Sequence, residues 1–148
     1  YLHFFPTRRS SDLGLNIVSD SVLQYGWYAK RMEEAVRHVR VCFPDADILM
    51  LGVSDRSRQV DGTFETMPAV LALLHAQRQA ARRSGVAFWN VFGAMGGENS
   101  MVRFVENNWA SKDYTHLSFR GGKEIASALL KAILLEKEFY DEADKVAR

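Results

Sequence analysis

A chain of 148 residues with 47% hydrophobic and 25% charged residues has apolar content for one soluble globular core and too little length for two. Its 19 basic and 18 acidic residues are interspersed and leave a net charge of +1, which excludes the electrostatic footprint of a nucleic-acid or anionic-membrane binder. No apolar run reaches the roughly 18–20 residues that span a bilayer, and the one cysteine, Cys42, excludes an internal disulfide and reads as a small buried hydrophobe.

Residues 1–13 place an aromatic cluster, Tyr1 to Phe5, before a basic, Ser-rich stretch, and fit no periodicity. They resemble a translated sequencing-adapter tail and are expected to be a non-native leader, with a genuine disordered leader as the alternative. On the first reading the natural protein begins further upstream, and any signal peptide lies there. From Gly14 the pattern is regular. Ser19 or Asp20 is placed to N-cap a helix through Trp27, Met32, Val36 and Val39, ended by Pro44 and Asp45. Asp47 to Val53 is almost wholly apolar, as for a strand covered on both faces, and Ser54 to Ser57 forms a polar loop at its end. A second helix runs from Met67 to Arg83 and stops at Gly85. Val86 to Val91 is the next strand, Gly93 to Gly97 a loop, and Ser100 to Trp109 a short helix capped from Glu98, Asn99 or Ser100. The last amphipathic helix spans about Gly122 to Leu135, with the charged tail Glu136 to Arg148 continuing it or fraying.

Helices alternating with strands predict a three-layer α/β fold with a parallel sheet. Two strands alone leave sheet edges bare, so further strands are expected upstream. Sites in open α/β sheets lie beyond the carboxyl ends of the strands, where the loops at Asp55, at Gly93–Gly97 and at Asp113–His116 all fall. Asp113 and His116 are three residues apart, a spacing at which one turn brings a carboxylate to an imidazole. Asp113 then fixes the tautomer, and Nε2 of His116 faces a nucleophile as general base. The same spacing also suits a hydrogen-bonded turn with no chemistry. Asp55 and Arg56 can line an acyl or sugar pocket or form a loop salt bridge, and Trp89 and Phe92 suit the core. His38 and His75 lack Cys or carboxylate neighbours at ligand spacing, so no metal site is expected. Gly93–Gly97 lacks the spacing and Lys of a phosphate loop, and no cofactor is expected.

The run Asp113-Tyr114-Thr115-His116-Leu117-Ser118-Phe119-Arg120-Gly121-Gly122 resembles the last conserved block of the SGNH hydrolases, the GDSL-type esterases and lipases. Gly14-Leu15-Asn16 is similar to the G-x-N block of that family, although Ile17 stands where G-x-N-D has Asp. The resemblance implies a flavodoxin-like α/β fold, a Ser-His-Asp triad contributed here by Asp113 and His116, and Asn16 as an oxyanion donor. It covers Gly14 to about Leu135, so residues 14–148 are expected to be the C-terminal portion of such a domain, lacking its N-terminal strands, its nucleophile block and its oxyanion-Gly block. Ser11-Asp12-Leu13 is no substitute: the order of Ser and Asp is reversed, and Ser11 lies too close to Asn16 for the intervening strand and helix. The implied function is a serine esterase removing acyl, plausibly acetyl, groups from a small-molecule, carbohydrate or cell-wall ester, in the periplasm or outside the cell, with this chain inactive alone. A non-catalytic carbohydrate-binding or assembly module on the same fold is the alternative. A flavodoxin-like regulatory or nucleotide-binding domain is disfavoured, because no glycine-rich phosphate turn is present.

Overall fold

The computed structural model describes residues 14–147. The expected leader, residues 1–13, lies outside the described residues. A 3₁₀ turn at Leu15–Ile17 leads through extended chain into α1, Gly26–Cys42. This helix begins later than Ser19 and Asp20 predict. Asp20 is drawn instead to Arg58 at 3.0 Å, and Tyr25 is buried in the core just ahead of the first turn. At its other end, residues 40–47 are all exposed, so Cys42 is a surface residue and not the buried hydrophobe expected.

Strand β1, Leu49–Leu51, is shorter than the apolar run Asp47 to Val53 suggests. A two-stranded hairpin follows, β2 at Ser57–Val60 and β3 at Thr63–Thr66, for which the sequence reading made no provision. Asp61 and Gly62 form its turn with φ of 49° and 83°, the doubly positive combination of a type I′ hairpin loop. Helix α2, Pro68–Ser84, starts with proline where a missing N–H is harmless. It ends at Gly85, whose left-handed φ of 59° lets its N–H reach the carbonyls of Ala81 and Arg82. Strand β4, Ala87–Trp89, then pairs in parallel with β1, Leu49 opposite Ala87 and Leu51 opposite Trp89.

Asn90 caps a short helix α3, Val91–Met95, by accepting from the Gly93 N–H at 3.0 Å. The loop expected at Gly93–Gly97 is therefore the second half of this helix and its left-handed exit at Gly96. Helix α4, Ser100–Glu106, stops before Trp109, and α5, Phe119–Ala147, begins before Gly122 and carries the charged tail as helix. Gly121 is obligatory at the start of α5. A Cβ there would lie 1.9 Å from the Trp109 carbonyl oxygen.

The result is a mixed α/β arrangement with a parallel strand pair, packed around two apolar clusters. One lies between α1, α2 and the sheet, with Tyr28, Met32, Val70 and Leu73 at its centre. Burying a side chain such as Leu73 completely contributes on the order of 2 kcal/mol. The other joins α3, α4 and the start of α5 through Val91, Met95, Met101 and Phe104. Contrary to the expectation of a strand covered on both faces, Leu49 and Leu51 are nearly half exposed, and Met50 alone of the three turns toward the first cluster. An apolar groove of about 580 Å³ separates the Leu49–Trp89 face of the sheet from Leu129 and Ile133 of α5. Among the described residues, no helix is long and apolar enough to cross a membrane.

Candidate active site

The segment from Trp109 to Ser118 doubles back on itself. Ala110 and Leu117 form an antiparallel bridge, the Ser111 N–H donates to the His116 carbonyl at 2.8 Å, and the Ser118 N–H donates to that of Trp109 at 2.9 Å. Between these bonds lies the turn carrying both candidate residues. Oδ1 of Asp113 accepts from the backbone N–H groups of Thr115 and His116, each at 3.0 Å. Oδ2 meets Nδ1 of His116 at 2.6 Å. The imidazole contact first, and the two backbone donors with it, hold the Asp113 carboxyl down at about 2. It is therefore ionised at neutral pH and can only accept. The proton of a neutral imidazole then sits on Nδ1, and Nε2 presents its lone pair. The His116 side chain is 72% exposed.

Tyr114, between them, has a φ of 54°, which costs a residue with a Cβ roughly 1 kcal/mol. Its surroundings enforce the conformation. The ring stacks on Phe64 of β3 at 3.6 Å with 8° between the planes, and the carbonyl accepts from the Ser57 N–H of β2 at 3.0 Å. On its core side the Tyr114 ring packs against the second apolar cluster.

Asn16 and His116 line one open cavity of about 300 Å³, together with Val53, Ser54, Gln77 and Thr115. The Asn16 turn closes through the Val18 N–H to the Leu15 carbonyl at 3.0 Å and is tied to the rest of the fold by longer bonds. The Arg56 guanidinium donates to the carbonyls of Leu15 at 3.4 Å and Val18 at 3.3 Å, and the Tyr25 hydroxyl donates to that of Ile17 at 3.4 Å. Gln77, almost wholly buried on α2, forms the cavity floor and accepts from the Val53 N–H at 2.9 Å.

Asp55 takes neither role read from the sequence. It is fully buried, and its carboxyl accepts from the Thr66 hydroxyl at 2.9 Å, the Met101 N–H at 2.8 Å and the Ser100 hydroxyl at 3.3 Å. It thus caps α4 from a distant loop, where the positive end of the helix favours an acid. Asn99 stands at the N-cap position of α4 as expected, but its side chain makes no cap bond and accepts from the Thr66 N–H at 3.0 Å. Phe92 packs in the first apolar cluster and Trp89 against the second. His38 contacts Cys42 and His75 contacts Gln79, neither near the cavity. Among the described residues, no three His, Cys, Asp or Glu are grouped to hold a metal ion. Ser54, Gln77, Thr115 and the hairpin are the parts of the site that sequence reasoning missed. Asp61-Gly62 between short alternating runs was a usable signal for the hairpin, whereas nothing local marks Gln77.

No protein-family model and no curated protein sequence matches the chain. Among solved structures, its fold is similar to that of a peptidoglycan O-acetylesterase, with a TM-score of 0.69 and 27% sequence identity. The match covers 84% of this chain and 35% of the other, so the chain spans about a third of that protein's length.

Proposed function

We propose that residues 14–148 are the C-terminal portion of a serine ester hydrolase of the SGNH type, built on a three-layer, flavodoxin-like α/β fold and acting on O-acetyl esters of a carbohydrate or cell-wall polymer. The observation that carries this reading is the single cavity lined by both Asn16 and His116, with Asp113 bound to the far side of the imidazole. These parts lie 100 residues apart in the sequence, and a hydrogen-bonded turn without chemistry gives no reason for them to meet. The likeness to a peptidoglycan O-acetylesterase supports the ester class and suggests acetyl as the acyl group.

In this mechanism Nε2 of His116 removes the proton of a serine hydroxyl as its oxygen attacks the ester carbonyl. Asp113 keeps the imidazole in the tautomer this needs and stabilises the imidazolium. Negative charge gathers on the former carbonyl oxygen, where the Asn16 side-chain amide donates to it. The tetrahedral intermediate collapses with cleavage of the ester C–O bond, and Nε2 gives the proton to the departing sugar oxygen, which leaves as a hydroxyl. Water then attacks the acyl-serine by the same route and releases acetate.

The serine and the strands that present it belong to the segment proposed to precede Gly14. The edge of β1 supports that placement, because among the described residues the strand has one partner, and an unpaired edge is what further strands of the sheet would cover. The reading frame upstream of Gly14 is expected to encode a strand followed by Gly-Asp-Ser. The protein it encodes is expected to release acetate from O-acetylated peptidoglycan. A frame that opens beside Gly14, or an intact protein that releases no acetate from this or any other acetylated glycan, overturns the proposal.

A further inference from the structure

The geometry points to the segment Asp55–Thr66, the strand-end loop and its hairpin, as the positioning element of this site: it holds the Asp113–His116 turn through Tyr114 and the Asn16 turn through Arg56. The inference rests on the ester-hydrolase reading and adds residues that the triad scheme does not contain. Three observations converge on it. Arg56 reaches the carbonyls on either side of Asn16-Ile17, those of Leu15 and Val18. The next residue, Ser57, donates its N–H to the carbonyl of Tyr114, between Asp113 and His116. Phe64, paired with Gln59 across the hairpin, stacks flat on the Tyr114 ring.

Tyr114 is where this matters most. A non-glycine residue persists at a φ of 54° only where its surroundings over-determine it. Here both the carbonyl and the ring are held by the hairpin. The hairpin is itself fixed, because Asp55 ties its base to α4 through Thr66, Ser100 and Met101. The chain from α4 to Asp55, to Phe64 and to Tyr114 leaves the Asp113–His116 turn one conformation, and Arg56 carries the same brace to the opposite wall of the cavity. Arg56 and Phe64 are positioning residues, since neither lines the cavity itself.

The test is NMR on the 148-residue chain, with circular dichroism confirming that each variant folds. In the unaltered chain the Asp113 carboxyl should titrate at about 2. Phe64→Ala should move that midpoint up toward the ordinary value of 3.8, and Phe64→Tyr, which keeps the stack, should restore it. Phe64→Leu replaces the alanine variant if that one does not fold, and should also raise the midpoint. Arg56→Ala should shift and broaden the Asn16 side-chain amide while leaving Asp113 at about 2, with Arg56→Lys giving partial recovery. In the intact esterase, Phe64→Ala should lower kcat by about tenfold with KM unchanged, the mark of a misplaced base. Asp113 unmoved by Phe64→Ala or Phe64→Leu, or Asn16 unmoved by Arg56→Ala, overturns the inference. A midpoint near 3.8 in the unaltered chain removes the Asp113–His116 dyad instead, and with it anything to position.

Discussion

The two loops that meet at the cavity are held to different degrees by their own bonds. The Asp113–His116 turn makes most of its own bonds: three reach the Asp113 carboxyl from residues within three positions of it, and a short antiparallel stem closes it. The Gly14–Ile17 turn closes on itself through the Ile17 N–H to the Gly14 carbonyl at 3.3 Å and the Val18 N–H to the Leu15 carbonyl at 3.0 Å, and is tied to the rest of the fold by Arg56 and Tyr25 through contacts of 3.3–3.4 Å at the long end of hydrogen bonding. A general base must hold one tautomer and one direction: the local bond from Asp113 fixes the tautomer, and the hairpin, through Tyr114, the direction. An oxyanion donor must likewise stand ready where charge develops, so the long Arg56 and Tyr25 contacts matter to it in spite of their length. The contrast predicts that perturbations will separate: some should disturb the base loop alone, others the donor loop alone, and those in the shared brace both.

The largest structural effect should come from the shared brace. Asp55→Ala removes the acceptor for the Thr66 and Ser100 hydroxyls and the Met101 N–H in a fully buried site, and should destabilise the fold by about 2–4 kcal/mol in urea titration. Both loops should loosen together in hydrogen exchange. Protection lost from only one of them breaks the picture of a common support.

Next is Gly121→Ala. With no room for a Cβ beside the Trp109 carbonyl, it should cost about 1–3 kcal/mol and shift the amide resonances of residues 109–118 while leaving those of residues 14–18 in place. A smaller effect follows from pH. The Asp113 carboxyl is depressed in the folded chain, so its contribution to stability is fully present above about 4 and is lost as pH falls through about 2. The unfolding midpoint of Asp113→Asn should therefore converge on that of the unaltered chain at the acid end of this window. At half exposure the contribution is heavily screened and should be small. Smallest of all is Tyr25→Phe, which deletes one long bond to the Ile17 carbonyl. It should cost about 0.5 kcal/mol and register only in the Asn16 loop.

The same contrast explains how much of the molecule was legible in the sequence. The Asp113–His116 turn is local, and three-residue spacing with a small carboxylate acceptor announces it. Helix α2 was legible for the same reason: its apolar positions recur at three and four, and Gly85 marks its end. What depends on distant partners was not. Asp20 looks like a helix cap until Arg58 claims it, and Asp55 looks like a loop residue until it is found capping α4. Asp47 to Val53 reads as a doubly buried strand because its composition is apolar, yet its Leu49–Leu51 face is bare. Burial depends on what packs against a strand, which composition does not carry. Asn16 was singled out by resemblance to a motif. That it shares a cavity with His116 is a fact of the folded chain alone.

The central claim is that His116 is the general base of an ester hydrolase, and the most direct measurement is hydrolysis of p-nitrophenyl acetate by the intact protein with and without His116→Ala. A triad base predicts a fall in kcat of about 10³-fold or more, with the fold unchanged by circular dichroism. Turnover by His116→Ala equal to that of the unaltered protein would contradict it.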